Sequence, residues 1–464
     1  MGERASRSPK RLDPGMMVFR TLAFRALPGI LLITLALLWP ALLSGAPLAF
    51  FDTQPYYNHG IAAWNFVFQT LGLGGGGGEA APVGGDDGII YGVRSVPYSL
   101  FAYGTSRIAS FWAPVVLSAF TTAVLIWLAL PTLRPRTRTL VGIALAFATV
   151  MAFYAAQFQP DILAAHLILV PVILMMHGKG IGPWGTAALL LVMAFAAVAH
   201  YSHVPLALAT GLMLGVWAFW HRRSALVVLA QLPVVAALAS NLLIGLVIDG
   251  GPSLAPGRFP LLLARSVADG PGLDFLQERC PEADYAVCEV FDEIPDNVQD
   301  FLWSDRSVVA RATPEQLLRI GAEEVPLLIE ILRYDPIGQT GALVRNAVAQ
   351  LFLVGRGGGQ AADYAFPEGR MVIELLDDRA ALFDAIEWMQ VGTLLIALGV
   401  AIVVLRRGTF DDRAILALVV FAILANAAVC GGLSAPAERY GGRLVWVLPL
   451  VVIALFARQR SRET

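Results

Sequence analysis

Long apolar runs separated by short polar segments make up most of this chain. Such runs lie at residues 27–47, 109–130, 139–156, 161–177, 183–200, 203–220, 224–248, 387–405, 414–432 and 442–458. A helix needs about 20 mostly apolar residues to cross about 30 Å of hydrocarbon, because each residue rises about 1.5 Å. The pattern therefore predicts an all-α polytopic membrane protein with about ten transmembrane helices.

Clusters of arginine and lysine recur beside alternate ends of these runs. They precede the first run and follow the second, fourth, sixth, eighth and tenth, as Arg4, Arg7, Lys10, Arg11, Arg134, Arg136, Arg138, Lys179, Arg222, Arg223, Arg406, Arg407, Arg458, Arg460 and Arg462. With ten spans, all of these clusters fall on one side, which the positive-inside rule assigns to the cytoplasm. We therefore expect cytoplasmic termini at residues 1–26 and 459–464.

The opposite side of the membrane receives the larger polar segments. Residues 27–248 would hold helices 1–7 with a first outer loop at 48–108, and residues 387–458 would hold helices 8–10. Segment 249–386 between them is long enough for a smaller extracytoplasmic α or α+β domain. Its acidic residues outnumber its basic ones roughly two to one, as expected for a translocated segment. In the first loop, HGIAAWNFVFQTLG predicts an interfacial helix, and a glycine-rich hinge follows at 72–78.

Composition supports a membrane environment and a bacterial source. The 464 residues are 57% apolar and 15% charged, with a mean hydropathy of +0.66, whereas soluble domains are about 45–50% apolar and about 25% charged. Lysine is scarce and alanine and arginine are abundant, which is typical of GC-rich bacterial genomes. We expect the bacterial inner membrane as the location, the lipid bilayer as a partner, and no nucleic acid.

Two of the three cysteines lie close together in the outer segment. Cys280 and Cys288 are the first and last residues of the sequence CPEADYAVC. An outer compartment is oxidising, so a local disulfide is predicted, and two buried thiols are the alternative. Cys430 lies within the ninth apolar run, where it is expected to act as a small apolar residue.

Ionisable and aromatic side chains collect at the outer ends of the apolar runs. A charge at membrane depth is costly, so such residues indicate function. The candidates are Asp52, Tyr56, Tyr57, His59, Arg94, Tyr98, Asp161, His200, His203, Glu438, Arg439, Tyr440 and Arg443. Two carboxylates and several cations at one water–lipid boundary suit a reaction on a substrate with a lipid tail and an anionic head.

Each of these residues also has a purely structural interpretation. Asp52 and Asp161 both stand just before helices and are candidate N-caps, while Arg94 and Arg439 are candidate headgroup anchors. The tyrosines fit an aromatic belt.

The histidines and one tryptophan leave similar alternatives open. His200 and His203 fit either a metal pair or satisfied interfacial histidines. Trp303, in the sequence FLWSD, fits the core of the outer domain or an exposed surface on which a sugar stacks.

Several short motifs resemble the GT-C membrane glycosyltransferases. They are an Asp soon after the first run, an Arg/Lys-x-Pro-like element before the second (GVRSVPYSLF), a Pro-Asp opening the fourth, and an Arg-Tyr before the last. The resemblance covers mainly the first 250 residues and the last 30. Many members carry paired acids in the first loop, whereas here Thr53 follows Asp52.

The resemblance implies a role for each matching residue. Asp52 would be the catalytic base or the group that orients the acceptor, and Asp161 would help to bind the acceptor or a divalent metal, Mg²⁺ or Mn²⁺, together with Asp52. Arg439 and Arg443 would bind the donor phosphate. The accompanying substrate-binding candidates are Arg94, Tyr56, Tyr57, His200, His203 and Tyr440.

These observations predict a glycosyltransferase that works on the extracytoplasmic face. It would move a sugar from a polyprenyl-phosphate-linked donor to a glycan, lipid or protein acceptor. A polysaccharide polymerase or ligase is one alternative, because such enzymes can rely on Arg and His. A transporter or flippase for a lipid-linked glycan is another, although transporters usually show repeated halves and charge near the midplane, neither of which the sequence displays.

Overall fold

The computed structural model of the protein describes residues 14–50, 52–72, 94–248, 251–254, 256–257, 259–280, 282–356, 363–366, 369–372 and 380–463. The basic cluster before residue 14 and most of the glycine-rich hinge lie outside the described residues, as does the side chain of Lys179. Among these residues, the first part of the chain forms twelve α-helices, α1 Pro14–Leu37, α2 Trp39–Ser44, α3 Thr53–Thr70, α4 Val96–Ala109, α5 Trp112–Ala129, α6 Pro135–Ala148, α7 Met151–Ala155, α8 Leu163–His177, α9 Gly182–Val198, α10 His203–Trp220, α11 Ser224–Leu229 and α12 Leu232–Ile248.

A small helical unit follows, which we call the outer unit after its predicted side of the membrane, and four helices complete the chain. The unit contains α13 Leu261–Ala268, α14 Pro271–Arg279, α15 Ala286–Val290, α16 Val298–Leu302, α17 Val308–Arg311, α18 Pro314–Tyr334, α19 Pro336–Phe352 and an antiparallel hairpin of β1 Asp363–Phe366 and β2 Gly369–Val372. The last helices are α20 Ala380–Arg407, α21 Phe410–Ala427, α22 Glu438–Val445 and α23 Val447–Glu463. A π-helical turn, Ala428–Gly432, extends α21.

Six stretches of helix in the described residues are long and apolar enough to cross a membrane, so the membrane part of the protein is all-α, and the hairpin of β1 and β2 lies outside these stretches. They are Trp112–Ala129, His203–Trp220, Ser224–Ile248, Ala381–Arg407, Phe410–Gly432 and Glu438–Glu463. The other four predicted runs form shorter or interrupted helices. The run at 139–156, for example, is divided between α6 and α7. A helix of 15 residues rises only about 22 Å, and the count of ten spans stays a prediction.

Helix α8 is the centre of the bundle. Every residue from Leu163 to Met175 is buried, because the helix is apolar on all sides and therefore belongs inside a core. It contacts α5, α9, α10, α21 and α23. Asp161, immediately before α8, is thereby held at the middle of one end of the bundle.

Within the outer unit, helices α13–α18 form a hydrophobic core of their own. Its buried residues include Leu263, Phe275, Phe301 and Ile331, and they form a cluster separate from that of the bundle. A disulfide joins Cys280 to Cys288 next to this core. Helix α18 begins with a capping box in which Thr313 and Gln316 exchange side-chain and backbone hydrogen bonds.

Helix α19 connects this unit to the bundle. It packs along the π-helical turn and against α21 and α22. The Gln350 side chain accepts a hydrogen bond from the backbone N–H of Ala437 and donates one to its carbonyl, both at 2.9 Å. This pairing fixes the start of α22 beneath the outer unit.

Candidate functional site

A cavity of about 510 Å³ lies where the helix bundle meets the outer unit. One wall is polar and comes from both halves of the bundle, with Asp52, Tyr56, Arg94, His200, Ser202, Arg439 and Tyr440. A second wall is apolar and is formed by Pro205, Val429 and Leu433. The outer unit closes the cavity with Phe259, Arg265 and Trp303.

Asp52 forms ion pairs with two arginines that lie far from it in the chain. Its Oδ1 accepts hydrogen bonds from Nε and Nη2 of Arg94, at 3.1 and 2.6 Å. Its Oδ2 accepts one from Nη1 of Arg439, at 2.7 Å. Asp52 occupies the N-cap position of α3, but its side chain makes no capping hydrogen bond. The N-cap interpretation of its carboxylate is therefore wrong.

Asp161 extends the same network into the protein interior. Arg439 forms a bidentate contact with it, in which Nε donates a hydrogen bond to Oδ1 and Nη2 donates one to Oδ2, both at 2.9 Å. Nη1 of Arg443 reaches Oδ1 at 3.3 Å. Asp161 makes no capping bond to α8 either. The result is an alternating row of charges, Arg94–Asp52–Arg439–Asp161–Arg443. It links residues from the first third of the chain to residues near its C-terminus.

Two glycines let the arginines of this row reach their partners. Arg439 and Arg443 lie one helical turn apart on α22, so both point to the same side. A Cβ at Gly441 or Gly442 would collide with the carbonyl oxygen of Leu353 or Gly355. The pair of glycines therefore allows α22 to press against the segment after α19, in the direction that turns both guanidinium groups towards Asp161.

The electrostatics keep both carboxylates ionised. Burial alone raises the pKa of Asp52, but the positive charges of Arg439 and Arg94 outweigh it and hold this pKa below its usual value. Burial opposes ionisation of Asp161 as well, and Arg439 and Arg443 hold its pKa still further below the usual range. Three guanidinium groups face two carboxylates, which leaves one net positive charge beside the cavity.

The arginines differ in their access to the cavity. The side chain of Arg94 is 23% exposed and that of Arg439 is 8% exposed, whereas Arg443 is fully buried. Arg443 lies behind Asp161, with its Nη2 also bonded to Ser202, Asn426 and Cys430. Arg94 and Arg439 can touch a ligand, and Arg443 acts through Asp161.

The aromatic candidates divide in the same way. Tyr56 and Tyr440 line the cavity, and the guanidinium of Arg443 lies 5.1 Å from the centroid of the Tyr440 ring. Tyr57 instead packs in the bundle core against Tyr103 and Phe111. The structure does not place Tyr57 at the cavity.

His200 lines the cavity, and His203 lies behind it. His200 Nδ1 pairs with the Ser202 hydroxyl at 2.8 Å, and burial together with Arg443 lowers the pKa of His200 to about 3, so this imidazole is neutral. His203 Nδ1 donates to the Ala196 carbonyl at 2.7 Å, and its ring centroid lies 5.3 Å from that of His200. Each of the two rings thus has its Nδ1 engaged in a hydrogen bond within the protein.

The donor set at the site does not fit a divalent cation. All four carboxylate oxygens of Asp52 and Asp161 accept arginine N–H groups. No group of three or more His, Cys, Asp or Glu side chains with a metal-binding arrangement occurs among the described residues. A metal would have to displace the arginines, and we derive no step through one.

The outer unit supplies Phe259 and Arg265, which the sequence did not single out as ligand contacts, and Trp303, for which sugar stacking is one of two predicted roles. Trp303 is 45% exposed and meets Phe259 edge to face, with 5.2 Å between ring centroids. Arg265 pairs with Asp269, and its buried Nε has no hydrogen-bond partner in the described part of the chain. From sequence alone, Arg265 and Asp269 resemble an ordinary pair on a helix surface.

The arrangement combines an anion-binding edge with an apolar wall and an exposed indole. Guanidinium groups bind phosphate through charge-assisted hydrogen bonds, and aromatic rings provide flat contact surfaces. Comparisons of the chain with protein-family models, curated proteins and solved structures find no match. What the cavity does is therefore judged from its geometry and chemistry.

Proposed function

We propose that the protein is a membrane glycosyltransferase of the GT-C type, which moves a sugar from a lipid-phosphate-linked donor to an acceptor on the extracytoplasmic face. The observation that supports this most is the cavity itself. An ionised carboxylate, two accessible arginines and an apolar wall lie together at one end of a helix bundle, under an outer unit. A donor with an apolar tail, a phosphate and a sugar requires such a combination.

The extracytoplasmic location rests on the direction of the helices. Helices α8 and α10 begin near the cavity, at Asp161 and His203, and α23 follows α22 from the same region. Each then runs to an end with basic residues close by, such as Arg222 and Arg460. The positive-inside rule places those ends in the cytoplasm and the cavity on the other side.

In the proposed reaction, Arg94 and Arg439 bind the phosphate of the donor. The acceptor hydroxyl oxygen attacks the anomeric carbon, the bond from that carbon to the phosphate oxygen breaks, and the phosphate leaves with the electron pair. Bidentate guanidinium contacts stabilise the charge on the leaving group. Asp52 accepts the proton of the hydroxyl, a step that contributes about 10²- to 10⁴-fold in related chemistry.

Donor binding also makes Asp52 a better base. In the free protein, Arg94 and Arg439 hold its pKa low, and a strongly stabilised carboxylate accepts protons poorly. A phosphate that takes over hydrogen bonds of these arginines reduces their hold on Asp52. The proton affinity of Asp52 then rises when the donor is in place.

The test is sugar transfer by purified protein in lipid vesicles with a radiolabelled polyprenyl-phosphate sugar. We expect Asp52→Asn to abolish transfer, while Arg136→Gln, an exposed change at the other end of the bundle, keeps wild-type turnover. Wild-type turnover by Asp52→Asn would refute the assigned role of Asp52.

A polysaccharide polymerase or ligase is the second candidate, and one observation favours it. Both carboxylates at the site are engaged by arginines, so an enzyme that relies on Arg and His alone would need no change in this network. The same assay distinguishes the two proposals. A polymerase or ligase tolerates Asp52→Asn and joins sugar chains, whereas the glycosyltransferase proposed above does not tolerate it.

A further inference from the structure

A large apolar groove opens on the bundle, away from the charged cavity. It has a volume of about 920 Å³, within the range of ~300–1,000 Å³ typical of ligand sites. Helices α9, α11 and α12 form its walls, through residues that include Leu190, Leu191, Leu226, Leu229, Leu232 and Val235. The walls are almost entirely aliphatic, so the groove suits a hydrocarbon chain.

Arg222 and Arg223 also line this groove. Neither guanidinium is paired with a carboxylate in the described part of the chain. Asp411, which lies nearby, is already bonded to Trp217 and His221, each at 3.0 Å. Arg223 stacks on the Trp217 ring at 5.7 Å, and its buried Nη1 has no hydrogen-bond partner among the described residues. The groove therefore has two cations available for an anion.

The position of the groove places these cations at headgroup depth. Helix α10 runs from His203, next to the charged cavity, to Trp220, just before the two arginines. Its 18 residues rise about 27 Å, close to the thickness of the hydrocarbon. Trp184, Phe219 and Trp220 are 87%, 70% and 60% exposed, as in the aromatic belt of a membrane interface.

We propose that this groove binds an anionic glycerophospholipid from the leaflet opposite the charged cavity. An acyl chain lies between α9 and α12, and the lipid phosphate contacts Arg222 and Arg223. A free phosphate would leave the apolar walls uncovered, and a zwitterionic lipid would bring its own cation next to the arginines. The site is separate from the cavity at Asp52, and its existence does not depend on the proposed transfer reaction.

The test is native mass spectrometry of the full-length protein in detergent, titrated with phosphatidylglycerol and with phosphatidylcholine of the same acyl chains. We expect phosphatidylglycerol to bind about thirtyfold more tightly, because each of the two arginines contributes about 1 kcal/mol near an anionic headgroup and about 1.4 kcal/mol corresponds to a factor of ten in affinity. Arg222→Gln/Arg223→Gln should remove this preference. Arg406→Gln/Arg407→Gln, which removes the same charge from exposed positions at the end of α20, should retain it.

Further variants separate the headgroup from the acyl chain and protect the test against misfolding. Ala187→Phe/Ala236→Phe fills the groove and should weaken both lipids. Arg222 has a φ of 53°, which glycine adopts readily, so Arg222→Gly keeps the fold and should reduce the preference severalfold. Equal affinity of the two lipids for the wild type would overturn the proposal. An unchanged preference for phosphatidylglycerol in the Arg222/Arg223 variants would also overturn it, as would an equal loss of that preference in the Arg406/Arg407 control. Displacement of the bound lipid by inorganic phosphate at a concentration equal to that of the lipid would count against it as well.

Discussion

Replacing Asp161 by asparagine should destabilise the protein more than the same change at Asp52, by about 2 kcal/mol. Asp161 is fully buried, and it is the carboxylate that neutralises Arg443, which is buried as well. In Asp161→Asn, Arg443 keeps only neutral partners in Ser202, Asn426 and Cys430. Leaving one partner of a buried ion pair uncompensated costs about 3–5 kcal/mol.

In the Asp52→Asn variant, the arginines that contact residue 52 still have other partners for their charge. Arg439 still has its two hydrogen bonds to Asp161, and Arg94 is exposed enough to turn towards water. The loss is then that of charge-assisted hydrogen bonds near solvent, about 1.5–3 kcal/mol. The two substitutions are chemically identical, so the difference between them reports how completely each carboxylate is buried.

Unfolding of the purified variants in detergent, followed by intrinsic tryptophan fluorescence, measures this difference. A double-mutant cycle with Asp161→Asn and Arg443→Met adds a control, because removing both charges should cost less than the sum of the single changes by about 1–3 kcal/mol. Equal destabilisation by Asp52→Asn and Asp161→Asn, or additivity in the cycle, would refute the buried network.

Two more predictions concern the surroundings of the network. Gly442→Ala should weaken folding and lower donor affinity, because a methyl group there collides with the Gly355 carbonyl and displaces Arg439 and Arg443; an unchanged unfolding midpoint would contradict this. Burial and Arg94 lower the pKa of His59 to about 4. As the pH falls, His59 therefore takes up a proton at a higher pH in the unfolded chain than in the folded protein. Its contribution to stability is complete above about pH 6.5 and is lost towards pH 4. His59→Gln should reduce the loss of stability between pH 7.5 and 5 without abolishing it, because His200 has a lowered pKa as well, and an unaltered pH slope would argue against this assignment.

The meeting of Asp52, Asp161 and Arg439 was predictable because hydropathy locates helix ends. Each of the three residues lies just beyond or just inside the end of an apolar run, and basic clusters assign those ends to one side. Helix bundles bring such ends together. The pairing itself was not predictable, since N-capping explains an Asp before a helix equally well.

Which of these side chains reach the cavity could not be derived from the hydropathy pattern. Arg439 and Arg443 lie on the same side of one short helix, yet of the two only Arg439 borders the cavity, because Arg443 lies one turn further along α22, behind Asp161. Tyr56 and Tyr57 are adjacent, and the helical rotation of about 100° per residue sends one to the cavity and the other to the core.

The contribution of the outer unit also lies beyond sequence reasoning. Arg265 and Trp303 reach the cavity only because α13 and α16 dock over the end of the bundle. That docking depends on specific contacts such as those between Gln350 and Ala437, which hydrophobic periodicity does not encode. Some helices are shorter than the predicted spans for a local reason, because breaks in the helical backbone at Leu38 and at Thr149–Val150 interrupt two of those spans.

Binding of a polyprenyl monophosphate, compared with the same polyprenol without phosphate, tests the central claim most directly. In the wild type, the phosphate should bind more tightly than the alcohol. Arg94→Gln should reduce that difference about tenfold or more, since a hydrogen bond to a charged group contributes about 1.5–3 kcal/mol, whereas Arg136→Gln should leave it unchanged. Equal affinity for phosphate and alcohol, or an Arg94→Gln variant that behaves as the wild type, would contradict a lipid-phosphate site in this cavity.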